Sequence, residues 1–379
     1  MRSEEDLVQT LRTAAAQAGP VDLADGVAGL RRARRTRRRM GAALAAAAVV
    51  LVAGGTTAVL RQPEPAQVAS PVPGAIEPVA SVWPRALSQV PAVDADGWRT
   101  TPVTAISATE LLMYAMPGEG KAERLEVYDT ASGRTRVLGA VPYPEKDYYP
   151  QSLDVGEKYI AWHAEKGANR ERADFWIMPR EGGEARRVGE VAADVDRTGI
   201  AGDHLVWSLE KGGGVYRMPL TGGTPERLPG SDGLHLSAWP WAHEGETGLN
   251  MTKIVNLETG RASAVAIPEG VDMMQCHPQW CAGMRDSRLV VQRVDGSARR
   301  TLPGTLVRVG FKWLYGDRFA LFLLNTPDRQ QPVLYDLTTG TMAAIGPAQS
   351  HDTSSRPSST LFWGDGAKRT VLNLQAIQG

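Results

Sequence analysis

Six short hairpins recur along the chain at nearly even spacing, and no other feature restricts the fold as much. They occupy residues 127–134, 177–184, 217–224, 255–261, 292–297 and 334–341. Each places a glycine where a tight turn needs positive φ: Gly133, Gly183, Gly223, Gly260, Gly296 and Gly340. Successive steps are 50, 40, 37, 36 and 44 residues, the period of a propeller blade. An apolar strand with a Trp precedes most hairpins, at Trp162, Trp207, Trp239, Trp280, Trp313 and Trp363. Large rings at that place fill the wedge between neighbouring sheets. For the second unit, the alternation predicts strands over 150–155, 159–164, 174–178 and 184–188.

Six hairpins make six blades. Residues 360–363 and 369–374 begin a seventh that lacks a fourth strand, which the segment near Trp83 to Val90 is expected to supply. The predicted fold class is mainly β: a seven-bladed β-propeller, with six or eight blades as alternatives. It is preceded by an N-terminal tail and a single transmembrane α-helix.

The tail carries the basic block Arg31, Arg32, Arg34, Arg35, Arg37, Arg38 and Arg39. Residues 41–60 then run without a charge, and twenty helical residues span about 30 Å, the thickness of the hydrocarbon core. Cationic flanks stay on the cytoplasmic side. The expected layout is therefore a cytoplasmic Arg-rich tail with short helices (1–40), a membrane helix (41–60), a Pro- and Ala-rich linker (61–82) and an extracytoplasmic propeller (83–379). Export followed by cleavage is the alternative. The membrane is one expected partner. The amphipathic pattern at 3–18 would suit a cytoplasmic protein partner for the tail, against a plain solvated tail.

Charge excludes a nucleic-acid role for the large part. Residues 1–39 hold nine Arg against five acids, so the remaining chain is net acidic within a total of zero. Cys276 and Cys281 bracket a four-residue loop, and the expected oxidising compartment favours a structural disulfide. A zinc site would need two further ligands, and no metal or cofactor is expected. No nucleophile elbow, His-Glu-x-x-His or phosphate loop occurs, so the chain is expected not to be an enzyme. His243 and Glu244, with Glu246, read as a solvated loop rather than an acid–base pair.

The loops joining successive blades and those joining the two middle strands of a blade emerge on one face. That face is the expected binding rim, with Tyr143, Tyr148, Tyr149, His243, Met273 and Met274 as candidates for a protein or envelope ligand.

Taken together, the Arg31 to Arg39 block, the Tyr-Asp-x-x-x-Gly hairpins at Tyr128 and Tyr335, the Gly-Gly turns and the Cys276-His277-Pro278-Gln279-Trp280-Cys281 loop resemble a known layout. It is that of actinobacterial single-pass envelope proteins carrying a TolB-like or WD-type propeller. The resemblance implies a binding, scaffold or sensory module with a link to sigma-factor-type signalling. The tail lacks the His-x-x-x-Cys-x-x-Cys pattern of zinc-binding anti-sigma factors. A propeller enzyme acting on envelope glycans is the alternative.

Overall fold

A computed structural model of the chain describes residues 67–68, 76–117, 123–144, 148–166, 172–245, 250–303, 314–325, 330–349, 359–364 and 366–378. The expected tail and membrane helix lie outside these residues. Among the described residues no helix is long and apolar enough to cross a membrane.

Seven sheets follow one another along the chain, and the fold is a seven-bladed β-propeller. Blade 1 is Arg99–Ala105, Glu110–Met116, Glu123–Asp129 and Arg134–Val141, each strand antiparallel to the next. Blade 2 is Tyr148–Val155, Tyr159–Lys166, Ala173–Pro179 and Arg186–Val191, close to the strands predicted from the alternation. Blade 3 comprises Val195–Ala201, His204–Leu209, Val215–Pro219 and Glu226–Arg227. Blade 4 comprises Leu234–Ala238, Trp241–Glu244, Lys253–Asn256 and Ala262–Ala264. Blade 5 comprises Asp272–Cys276, Trp280–Arg285, Arg288–Arg293 and Arg300–Thr301. Blade 6 comprises Leu314–Tyr315, Phe319–Asn325, Gln330–Asp336 and Met342–Ala344.

Blade 7 is built from both ends of the propeller. Thr360–Trp363 pairs with Lys368–Asn373, whose other edge takes Leu87–Pro91 as outer strand. That is the strand the sequence predicts from the Trp83 to Val90 segment. Mutual bonds between Gln349 and Phe362 stand in for the innermost strand. Joining the ends this way pairs the strand Lys368–Asn373 on both sides at the seam.

The core lies in the wedges between sheets. Trp162, Trp207 and Trp280 are buried there, as the Trp pattern predicts, while Trp239 and Trp363 are only partly covered. Polar side chains clasp the backbone of the next inner strand. Asp154 Oδ2 accepts from Ile200 N at 2.9 Å, Ser208 Oγ from Leu236 N at 3.0 Å and Asn250 Oδ1 from Met274 N at 2.7 Å. At the seam Ser359 Oγ accepts from Ala105 N at 2.9 Å. Each clasp pairs an N–H that would otherwise sit in a wedge with no partner.

The stretch read as a spacer is stitched to the propeller at several points. Gln67–Val68 pairs in parallel with Arg300–Thr301 of blade 5. Pro78 bridges Ala344 on blade 6, and Ala344 N donates to Glu77 O at 2.8 Å. A single helical turn, Val79–Val82, and Trp83 then cover blade 6, with the Trp83 ring edge-on to Phe319 at 5.9 Å.

Candidate functional site

The inner strands of blades 1 to 5 each carry a β-bulge. In blade 3, Val195 pairs with Leu209 and Arg197 with Ser208, so Asp196 is the extra residue. A bulge turns its side chain away from the ordinary alternation. Here it turns a carboxylate toward blade 4.

Asp196 Oδ2 accepts from Ser208 Oγ at 3.1 Å and lies 3.3 Å from His235 Nδ1. His235 is buried. It sits directly across the hairpin from His243, and the two rings stack with centroids 5.7 Å apart. His243 is half-buried, and its Nδ1 is shut from solvent without a hydrogen-bond partner. Burial lowers the His243 imidazole from 6.5 to about 4, helped by the neighbouring His235 and opposed by Asp196. A desolvated imidazole beside a second one favours the neutral form.

The carboxylates are pushed apart. Burial works to raise Asp196, but bonds from His235 and Ser208 and the charge of Arg197 outweigh it and hold Asp196 below the usual range. Glu210, at the solvent edge, is raised by partial desolvation and then by the charges of Asp196 and Asp194. One carboxyl is thus kept ionised while its neighbour holds a proton to higher pH, the arrangement that separates acid from base. A buried seam continues into blade 2: His163 Nδ1 lies 2.8 Å from Thr198 Oγ1 and His163 Nε2 lies 3.7 Å from Glu165 Oε1. Among the described residues no group of three or more His, Cys, Asp and Glu is placed to hold a metal ion.

This cluster occupies the end of the blades from which the expected rim loops emerge. The rim candidates themselves divide. Tyr143 and Met273 are half-buried, and Met273 has a positive φ of 57°. Tyr148 is not on the surface: it is buried, accepts from Trp176 Nε1 at 2.6 Å and donates to Asp174 Oδ2 at 3.1 Å. Met274 is likewise buried, under blade 5. Both stand on inner strands, where one face must enter the wedge. The Tyr149 side chain lies outside the described residues. His243 belongs to the strand Trp241–Glu244, which corrects the loop expected there. It does not work with its sequence neighbour. Glu244 turns to the other face and meets Lys253 Nζ at 3.3 Å, because adjacent strand residues point to opposite sides.

Asp196, Ser208, Glu210 and His235 escape sequence reasoning. One signal was within reach. Folding the hairpin about Trp239-Pro240 sets His235 opposite His243, so two scattered histidines become a pair.

The expected disulfide is present: Cys276 and Cys281 face each other across the first hairpin of blade 5. It lies at the other end of the blades, in the turn between the two inner strands.

No family model matches the chain, and no curated protein matches it. Several solved structures resemble it over part of its length. The putative TolB from Agrobacterium tumefaciens is 16% identical, with 67% of this chain and 99% of that one covered at a TM-score of 0.41. An oligogalacturonate lyase from Vibrio parahaemolyticus is 9% identical, with 76% and 97% covered at a TM-score of 0.47. TolB from Acinetobacter baumannii is 13% identical, with 74% and 58% covered at a TM-score of 0.31. At these identities the likeness is one of fold alone.

Proposed function

We propose that this chain is a membrane-anchored binding module. Its Arg-rich tail stays in the cytoplasm, residues 41–60 span the membrane, and the propeller engages a protein or envelope polymer outside. The observation that carries this reading is the cluster at blades 3 and 4. Asp196, Ser208 and His235 are already bonded to one another before any ligand arrives, so little ordering cost remains on binding. Asp194 and Asp196 outweigh Arg197, which suits a ligand with basic or hydroxyl-rich groups. The attachment of residues 67–68 and 76–91 along blades 5 to 7 supports a firm mount for the propeller, one through which a bound ligand would load the anchor and tail.

The test is chemical cross-linking of the full-length protein in intact cells, with Asp196→Asn and His235→Gln beside it. The expected outcome is one cross-linked species that both substitutions remove. A species that survives both would place the ligand elsewhere. Protease added to intact cells should digest the propeller and spare the tail; an untouched propeller would refute the topology.

A second reading rests on the carboxyls of Asp196 and Glu210, which lie within hydrogen-bonding reach of each other. An acid and a base so arranged would suit a propeller enzyme cleaving envelope glycans. Turnover of a glycan by the full-length protein, lost in Glu210→Gln and Asp196→Asn, would establish it.

A further inference from the structure

A second site lies at the opposite end of the blades. A cleft of about 520 Å³ opens where the first turns of blades 5 and 6 meet the last turn of blade 4. Trp241, Ile254 and Pro278 give it an apolar side, and Gln279, Asp317 and Arg261 a polar one. Its volume is that of a small-ligand pocket, about 300–1,000 Å³.

The polar side is fixed in advance. Asp317, with a positive φ of 54°, accepts from the Gln279 and Trp280 backbone N–H groups at 3.1 and 3.2 Å through Oδ1. Its own N–H donates to His277 Nδ1 at 3.2 Å. Gln279 Oε1 accepts from Arg293 Nη1 at 3.0 Å, and that guanidinium stacks 4.1 Å from the Trp280 ring centre. The Cys276–Cys281 bond closes the loop that bears Pro278 and Gln279. Three of the loop's four residues are therefore tied to neighbouring elements. Preorganised polar groups beside an aromatic wall lower the ordering cost of binding and are what a small-ligand site requires.

The chemistry of the walls selects the ligand class. Arg261 and Asp317 oppose each other in sign, so the cleft attracts neither strong anions nor strong cations. An indole wall favours a flat ring with aliphatic C–H on one face. Carboxylate, carboxamide and guanidinium groups opposite favour several hydroxyls along its edge. We propose that this cleft binds a neutral oligosaccharide. The site is separate from the cluster on blades 3 and 4 and stands or falls without it.

Calorimetric titration of the full-length protein with cellotriose, maltotriose and chitotriose tests this, with trigalacturonate as charged comparison. At least one neutral trisaccharide should bind. Ser263, on the exposed outer strand of blade 4, also lines the cleft, so Ser263→Trp fills it without disturbing the core. That substitution should abolish binding, and Trp241→Ala should weaken it by about two- to tenfold, the worth of one aromatic contact. Val137→Ser, exposed on the outer strand of blade 1, should leave it unchanged. The proposal is overturned if no neutral trisaccharide binds at millimolar concentration, if binding survives Ser263→Trp, or if trigalacturonate binds more tightly than all three.

Discussion

Lowering the pH from 7 to 4.5 should weaken the fold through the imidazole of His243. His243 carries a ring nitrogen that neither solvent nor a partner reaches, and burial takes its pKa from 6.5 to about 4. The groups facing it are His235 across the hairpin, then Asp196 and Arg197 from blade 3. The folded value lies below the unfolded one, so the unfolded chain binds the proton first. The stability that neutral His243 represents is whole above pH 6.5, declines as pH falls, and is fully lost below about 4. Integrated to pH 4.5, the loss is about 2.5 kcal/mol, a large part of the net stability of an ordinary domain. Carboxylates also protonate on the way down, so the comparison must be made against His243→Phe, which keeps a ring and has no proton to gain. Urea unfolding at both pH values should show the wild type losing about 2.5 kcal/mol more than the variant. An imidazole NMR titration should place the His243 midpoint well below 6.5, near 4. Equal pH dependence in the two proteins, or a His243 midpoint near 6.5, would refute the reasoning.

Other expectations follow from particular contacts. Asp336→Ala should cost about 3–5 kcal/mol in denaturant unfolding. The carboxylate is buried and takes a forked bond from Arg318, which also holds Ile377 O at 3.0 Å. Asp129→Ala, at the same place in the blade 1 hairpin, should cost far less than Asp336→Ala, since that carboxylate bonds only its own turn. Reduction of the Cys276–Cys281 bond should lower stability by about 2 kcal/mol at most, read as a shift in Tm with two thiols titrated, because the closed loop is so short. Ser208→Ala should cost about 1–3 kcal/mol, because Leu236 N loses its acceptor in a buried wedge.

The hairpins were legible because their information is local. Tyr128-Asp129 through Gly133 and Tyr335-Asp336 through Gly340 repeat one turn chemistry, and both turns form as read, with φ of 69° and 78° at the two glycines. The Gly-Gly turns hold a further constraint. Gly182 and Gly183 stand at φ of 104° and 141°, and Gly183 N donates to Leu138 O of blade 1 at 2.8 Å. The turn type belongs to local sequence, whereas the neighbouring blade it serves does not. The two Tyr-Asp hairpins show the same limit from the other side. They are alike in sequence, yet only Asp336 meets an arginine, because Arg318 comes from the preceding inner hairpin. The rim was harder to read. Tyr148 and Met274 looked like loop residues, but the strands began earlier than the alternation implied and carried both inward.

By itself, the sequence determined the repeat, the turn chemistry, the blade period, the wedge-filling character of Trp162, Trp207 and Trp280, and the origin of the closing strand. These depend on backbone conformation and hydrophobic periodicity over a few residues. Only the tertiary structure decided how many sheets close the propeller, that residues 67–68 and 76–91 belong to it, and that Asp196, Ser208, His235 and His243 form one cluster. A bulge moves a side chain from one face to the other without changing the composition around it. Contacts between blades join residues about 40 positions apart, set by the packing of whole sheets.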